Sequence, residues 1–332
     1  MRDRLPRLGF LGVGWIGRHR MGAVHRSGVA AVAAVADVDA GAAREAAAEV
    51  GCTDVCAGLE ELLERDLDGV VIATPTALHG DHAGLALERG VAVFCQKPLG
   101  RTAAESAEVV DLARRGDLPL GVDMSYRHAA AVEAALASVR AGDIGEPRVA
   151  ELVFHNAYGP DRPWARDPAL AGGGALIDLG PHLLDLARLF LGELDPRAVH
   201  ADLFAGGERL DRGARRAEDL ALAQITLADG RAIRLACSWW LPAGADAVIE
   251  ASFIGDGRAV SVRNVDGSFY DFEALRIDGR RAERLAGPPD EWGGRALVAW
   301  ARGLAEPAFD EDVAGLVDVA ALIDRIYGRN GG

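Results

Sequence analysis

Leu8-Gly9-Phe10-Leu11-Gly12-Val13-Gly14-Trp15-Ile16-Gly17 decides the fold, because a strand-like apolar run ends in a GxGxxG turn that opens a helix. Glycines at these places let the chain turn tightly and approach a pyrophosphate, whose charge sits on the helix N-terminus. Asp37 stands twenty residues beyond Gly17, at the end of a second strand-like run. A carboxylate there hydrogen-bonds the adenosine ribose hydroxyls and repels a 2'-phosphate, so NAD is expected over NADP. Arg18, directly after the third glycine, is the one residue that could accept such a phosphate, and it keeps NADP as the alternative. A GxGxxG triplet alone is a weak signal; strand, helix and acid in register make it a specific one.

Outward from this turn, the chain to about residue 125 alternates short β-branched runs with Ala-rich helical stretches. Strands are expected at Leu8-Leu11, Val32-Ala36, Gly69-Ala73, Val91-Cys95 and Leu120-Asp123, with another near Thr53-Cys56. Helical spacing marks Ala40-Val50, Ala77-Arg89 and Thr102-Arg115. This is the grammar of a doubly wound parallel sheet. Beyond a helix near Ala130-Ala141, longer alternating strands follow in succession: Arg148-His155, Arg197-Phe204, Leu220-Leu227, Arg231-Trp239 and Ala247-Ile254. They read as one largely antiparallel sheet, and Asp229-Gly230 between two of them is a hairpin signal. Helices near Glu291-Leu304 and Asp312-Tyr327 close the chain. The expected fold class is therefore α/β: an NAD-binding Rossmann domain over 1-125, and a substrate-binding α+β domain with a large, mostly antiparallel sheet over 126-332.

Composition narrows the function. With 332 residues, half of them apolar, the chain can bury a large core. A formal net charge of -14 argues against nucleic-acid binding, which needs a basic face. The same acidity is compatible with a cationic substrate, although solubility alone explains it. No run approaches the ~20 apolar residues of a membrane span, and no signal-peptide core follows Met1, so a cytoplasmic protein is expected. The four cysteines, Cys52, Cys56, Cys95 and Cys237, form no C-x-x-C pair and read as reduced thiols. His79 and His82 lie three apart on a helix, but no third ligand of suitable spacing is in view, so no metal is expected.

Lys97 is the only lysine; the other 35 of the 36 basic residues are arginine. Where a lysine survives such a bias, its site is expected to need a compact charge with adjustable proton chemistry, which guanidinium cannot supply. It sits in Cys95-Gln96-Lys97-Pro98, at the carboxyl end of a strand, where doubly wound sheets place ligands. A second constellation runs from Gly172-Gly173-Gly174 to Asp178, His182 and Asp185. Asp178 and His182 are four apart on one helix face, and Asp185 continues the stripe. Pro181 is tolerable if the helix is just starting, which sets Asp178 and His182 at the loop mouth. A hydride transfer needs a base for the hydroxyl proton and a cation for the developing alkoxide, and these residues supply both. Read alone, Asp178 could equally be a helix-dipole partner and His182 a packed core histidine.

The order Gly12-Val13-Gly14-Trp15-Ile16-Gly17, Thr74-Pro75 with His79, Gln96-Lys97-Pro98, Tyr126-Arg127, then Gly172-Gly173-Gly174 through Asp178, His182 and Asp185 resembles the glucose-fructose oxidoreductase / inositol dehydrogenase (Gfo/Idh/MocA) family. The likeness spans nearly the whole chain. It implies a nicotinamide cofactor held between the two domains by Gly12, Gly14, Trp15, Ile16, Gly17, Asp37, Thr74, Pro75, His79, Gln96 and Lys97, and an open C-terminal sheet that mediates homo-oligomerisation. It also implies that Lys97 bonds the reacting hydroxyl, that His182 is the acid/base, that Asp178 orients the substrate and tunes His182, and that Lys97-Pro98 is cis. Two departures stand out. The usual Glu-Lys-Pro is Gln96-Lys97-Pro98, and Tyr126-Arg127 continues as His128-Ala129-Ala130 instead of an aromatic and a downstream proline.

The expected activity is NAD-dependent hydride transfer at a secondary alcohol or ketone of a sugar, inositol, aminocyclitol or (amino)glycoside. Acidity and the arginine bias suggest an amino sugar. Tyr126, Arg127 and Trp164 are candidate substrate contacts beside Lys97, Asp178 and His182. Arg166, Asp167, Trp239 and Trp240 are further candidates, with at least one of the two adjacent tryptophans expected in a core or interface. The alternatives are transient oxidation by a tightly held NAD, as in an epimerase or glycosidase, or a non-catalytic NAD sensor.

Overall fold

The computed structural model describes residues 4–211, 213 and 215–329. The chain divides into two compact units. The first takes in the chain through Gly100, Ala104–Ser125 and Gly293–Ala314; the second takes Arg101–Ala103, Tyr126–Trp292 and the chain from Gly315 onward.

In the first unit six parallel strands, β1 (Arg7–Leu11), β2 (Ala31–Ala36), β3 (Val55–Cys56), β4 (Gly69–Ile72), β5 (Ala92–Cys95) and β6 (Leu120–Val122), lie in the order β3-β2-β1-β4-β5-β6. This is the doubly wound order with its reversal between β1 and β4. All residues of β4 and β5 are buried, as strands covered on both faces must be, and they read as continuous apolar runs. The connecting helices are α1 (Trp15–Ser27), α2 (Ala40–Glu49), α3 (Leu59–Leu63), α4 (His79–Glu88) and α5 (Ala103–Gly116). Asp39 caps α2 by accepting from the backbone N–H groups of Gly41 and Ala42 at 2.8 and 3.1 Å.

The second unit is a nine-stranded sheet backed on one face by helices. Its helices so far are α6 (Ala130–Arg140), α7 (Pro168–Ala171) and α8 (Ala175–Leu191). The strands are β7 (Val149–Asn156), β8 (Pro196–Ala205), β9 (Glu208–Leu210), β10 (Leu220–Leu227), β11 (Ala232–Ser238), β12 (Ala247–Ile254), β13 (Arg258–Asn264), β14 (Phe272–Asp278) and β15 (Arg281–Ala286), ordered β15-β14-β13-β12-β7-β11-β10-β8-β9. Every pairing is antiparallel except β7 with β11. Strict alternation in β7, β10 and β12 turns one side of each strand onto α8 and leaves the other partly open. Leu222 and Ile254 are exposed on that open side. The Asp229-Gly230 hairpin forms as a three-residue loop: Gly230 adopts φ +90° and donates to Leu227 O, while Leu227 N donates to Arg231 O.

Two helices complete the units. α9 (Arg295–Gly303) joins the first, where Trp300 packs on Phe94 with ring centroids 5.6 Å apart. A Cβ on Gly69 or Gly121 would meet the Trp300 ring at 2.6 or 2.7 Å, so two strand glycines make the room for it. α10 (Gly315–Tyr327) belongs to the second. A single division near residue 125 thus leaves out the return of residues 293–314 to the first unit. Among the described residues no helix is long and apolar enough to cross a membrane.

Candidate active site

In the first unit the glycine turn is shaped by backbone crowding. Gly12 has φ +86°, and a Cβ there would lie 2.6 Å from Ala73 O; a Cβ on Gly17 would lie 2.1 Å from Gly12 O. The first turn of α1 has no acidic residue, and its Gly14 N-cap has no side chain to satisfy the helix N–H groups. An anion such as a pyrophosphate fits this cradle. Trp15 is exposed and stacks on His19 at 5.7 Å, while Ile16 is half-buried beside it.

Asp37 follows β2 directly, and its two carboxylate oxygens accept from Val13 N at 2.7 Å and Asp39 N at 2.9 Å. These bonds fix its direction and leave further lone pairs for hydroxyl donors. Arg18, the residue that could receive a 2'-phosphate, is committed elsewhere. It pairs with Glu45 at 3.1 Å and Glu49 at 2.8 Å, and donates to Val13 O and Ala42 O. The Glu45 hydrogen bond raises its pKa further.

Thr74 and Pro75 follow β4 and lead into α4. Thr74 Oγ1 meets His82 Nδ1 at 3.2 Å. His79 is buried with Nδ1 2.7 Å from Pro98 O and Nε2 2.8 Å from Thr74 O. Burial lowers its pKa, and the neutral ring so favoured can donate to only one of these carbonyls. Among the described residues no three His, Cys, Asp or Glu side chains gather in a metal-binding group. Gln96, Lys97 and Pro98 leave β5 at its carboxyl end, with Lys97-Pro98 cis, as the resemblance implied.

In the second unit α8 carries Asp178 and His182. Pro181 is its seventh residue, so the proline falls in the second turn of a helix already under way. The helix tolerates the missing N–H because thirteen of its residues are buried in the core, where packing outweighs one absent bond. Asp178 stays in the first turn, and His182 lies a turn further on. Trp239 Nε1 donates to Asp178 Oδ2 at 3.1 Å, making this buried tryptophan a support for the acid. Tyr126 packs on the His182 ring at 4.6 Å, within an aromatic cluster with Phe154, Phe272 and Trp292. Burial pushes the Tyr126 phenol well above its usual pKa, so it stays neutral.

Arg127, expected to touch substrate, is held by Asp185 through two 2.6 Å bonds, Nε to Oδ2 and NH2 to Oδ1. The pair ties the segment after β6 to α8. Trp164 is half-buried in the short 3-10 helix Pro163–Arg166, and Arg166 places its guanidinium 5.2 Å from the ring of exposed Trp240.

Two residues that sequence reasoning missed hold the glycine loop. Buried Glu218 accepts from Leu176 N at 2.8 Å, Gly174 N at 3.1 Å and Tyr327 OH at 2.9 Å. It thereby caps α8 from a different segment. Burial raises its pKa to about 7, against the pull of these donors. The loop must be glycine here: a Cβ on Gly173 would lie 2.1 Å from Tyr327 OH, and one on Gly174 2.0 Å from Glu218 O. The only sequence sign was the triplet Gly172-Gly173-Gly174 itself.

Comparison with known proteins agrees with the fold of both units. Residues 7–124 match an oxidoreductase family described as an NAD-binding Rossmann fold, and residues 132–276 match the GFO/IDH/MocA C-terminal domain. A D-apiose dehydrogenase of Paraburkholderia graminis is 29% identical over 87% of this chain and 74% of its own length. A putative UDP-kanosamine synthase oxidoreductase subunit of Amycolatopsis mediterranei is 32% identical over 79% of this chain and 73% of its own. Some other sugar reductases match over only 46–61% of their own length. The solved structure of GenD2 from gentamicin A biosynthesis, in complex with NAD, superposes with a TM-score of 0.80 at 25% identity, covering 99% of this chain and 95% of that one. With both of its domains matched, the chain belongs to the Gfo/Idh/MocA family of NAD-binding oxidoreductases.

Proposed function

We propose that the chain is an NAD-dependent dehydrogenase or reductase acting at a secondary alcohol or ketone of a sugar or amino sugar, the latter including aminocyclitol and aminoglycoside-type substrates. What supports this most is Asp178 and His182 on the first turns of α8, with Asp178 held by the Trp239 N–H. That disposition suits an acid and an imidazole kept for proton transfer, with the acid's direction fixed by a donor. Bound NAD supplies the hydride acceptor in one direction and the donor in the other. His182 takes the hydroxyl proton in the oxidative direction, Asp178 orients the substrate and the imidazole, and the Lys97 ammonium steadies the developing alkoxide. Relatives named for D-apiose, UDP-kanosamine and gentamicin A biosynthesis support a sugar or amino-sugar substrate.

Asp37 and the commitment of Arg18 to Glu45 and Glu49 favour NAD over NADP. The partly open side of the nine-stranded sheet, with Leu222 and Ile254 exposed, is the surface through which copies of the chain would associate. The test is NAD reduction over a panel of inositols, hexoses, glycosides and amino sugars, with the Lys97→Arg chain as control. Turnover that depends on Lys97 supports the proposal. Silence from the wild-type chain across the panel, in either direction, counts against it.

A further inference from the structure

Asp123, just beyond β6, is fully buried and collects three donors within the first unit. Arg20 Nε reaches Oδ2 at 2.5 Å, Gln96 Nε2 shares that oxygen, and Ser125 Oγ bonds Oδ1. Arg20, on α1, is itself 7% exposed in its side chain and donates also to Ser125 Oγ at 2.8 Å. The cluster therefore links the helix that follows the glycine turn to the ends of β5 and β6. Its backbone is anchored too, with Gln96 N donating to Ile72 O and Asp123 N to Cys95 O, both at 2.9 Å.

The chemistry of this cluster dictates the side chain at 96. A buried carboxylate already neutralised by one guanidinium accepts a further neutral donor, which Gln96 supplies. A glutamate at 96 would set two carboxylates in contact, and one would have to take up a proton. The departure from the usual Glu-Lys-Pro thus goes together with a carboxylate at 123.

We propose that Asp123 is a positioning residue: through Gln96 it fixes the chain immediately before Lys97, and so the direction in which the lysine is presented. Gln96 and Asp123 then form an exchangeable donor–acceptor pair. The inference rests on the reading that Lys97 serves the reaction, but its test does not need turnover.

Lys97 is the only lysine, so reductive methylation with ¹³C-formaldehyde yields one ε-dimethyl NMR signal, distinct from that of the N-terminal amine. The wild-type chain is compared with Gln96→Glu, Asp123→Asn and the double variant, with thermal melts recorded for each. Gln96→Glu is expected to move or split the Lys97 signal and, where a panel substrate turns over, to lower kcat at least about tenfold with little change in KM. The double variant restores one donor facing one carboxylate; the signal returns toward its wild-type position and most of the lost kcat is recovered. An unmoved signal in Gln96→Glu, effects that simply add in the double variant, or a double variant that melts below both single ones overturns the proposal. A signal that moves and returns in a chain that turns over no panel substrate upholds the positioning and refutes the assigned reaction.

Discussion

Replacing Glu218 by glutamine isolates the group that holds the start of α8. In the folded chain its carboxyl has a pKa of about 7, against the usual 4.5 of an unfolded glutamate, because burial penalises the charge more than Leu176 N, Gly174 N and Tyr327 OH stabilise it. A raised pKa means the folded state keeps its proton while the unfolded state has lost it. The stability from this group is therefore fully present below about pH 4.5 and is lost as pH rises through 7. Each pH unit across that window is worth about 1.4 kcal/mol, so the full span is about 3 kcal/mol. Glu218→Gln removes the titration. Urea unfolding of wild type and variant at half-unit steps from pH 5 to 8 should show the wild type losing about 2–3 kcal/mol relative to glutamine as pH rises. A difference that is flat, or that grows in favour of the wild type at high pH, refutes the assignment of a protonated buried carboxyl at this cap.

Arg127→Ala should act on stability first: removing one partner of the buried Asp185 pair costs about 3–5 kcal/mol, and a denaturation midpoint within error of wild type would contradict it. Trp239→Phe keeps a smaller aromatic ring and removes the N–H that holds Asp178; a bond to a charged group is worth about 1.5–3 kcal/mol, so kcat should fall roughly ten- to a hundredfold with the fold intact by circular dichroism. Glu45→Gln with Glu49→Gln releases Arg18, and together with Asp37→Ala should move the ratio of NADP to NAD use upward at least about tenfold in kcat/KM. An unchanged ratio in the triple variant would show that these side chains do not set cofactor choice.

Much of this molecule is legible without coordinates because its two halves use different periods. The buried parallel strands β1, β4 and β5 stand out as short apolar runs between helices, and β7, β10, β11 and β12 alternate every second residue around an apolar core. The strands β13, β14 and β15 escaped notice for a physical reason. They lie toward one edge of the sheet and carry charges that pair across strands, Arg258 with Asp278, Arg263 with Glu273 and Arg276 with Glu283, so polar residues interrupt the alternation. The entry of α8 was legible from the glycine loop and Asp178, and core packing carries the helix on through Pro181.

The proposed site was legible in its candidate reacting groups and illegible in their supports. Lys97, Asp178 and His182 announce themselves by scarcity, by motif and by four-residue spacing. Glu218, Tyr327, Trp239 and Asp123 act over separations of 27 to more than 100 residues, and only folding brings them to the residues they hold. Arg127, a motif arginine expected beside the substrate, is paired with Asp185, a partner that spacing alone did not name.

The central claim, that Lys97 serves hydride transfer on a sugar-like alcohol, is tested most directly by NAD reduction across the sugar and amino-sugar panel with wild-type and Lys97→Arg chains side by side. Arginine keeps the cation and loses its compact shape and proton chemistry. The account predicts turnover in the wild type that falls by at least about a hundredfold in kcat for Lys97→Arg, with NAD still bound by both. Equal turnover by the two chains would remove Lys97 from the reaction and contradict it.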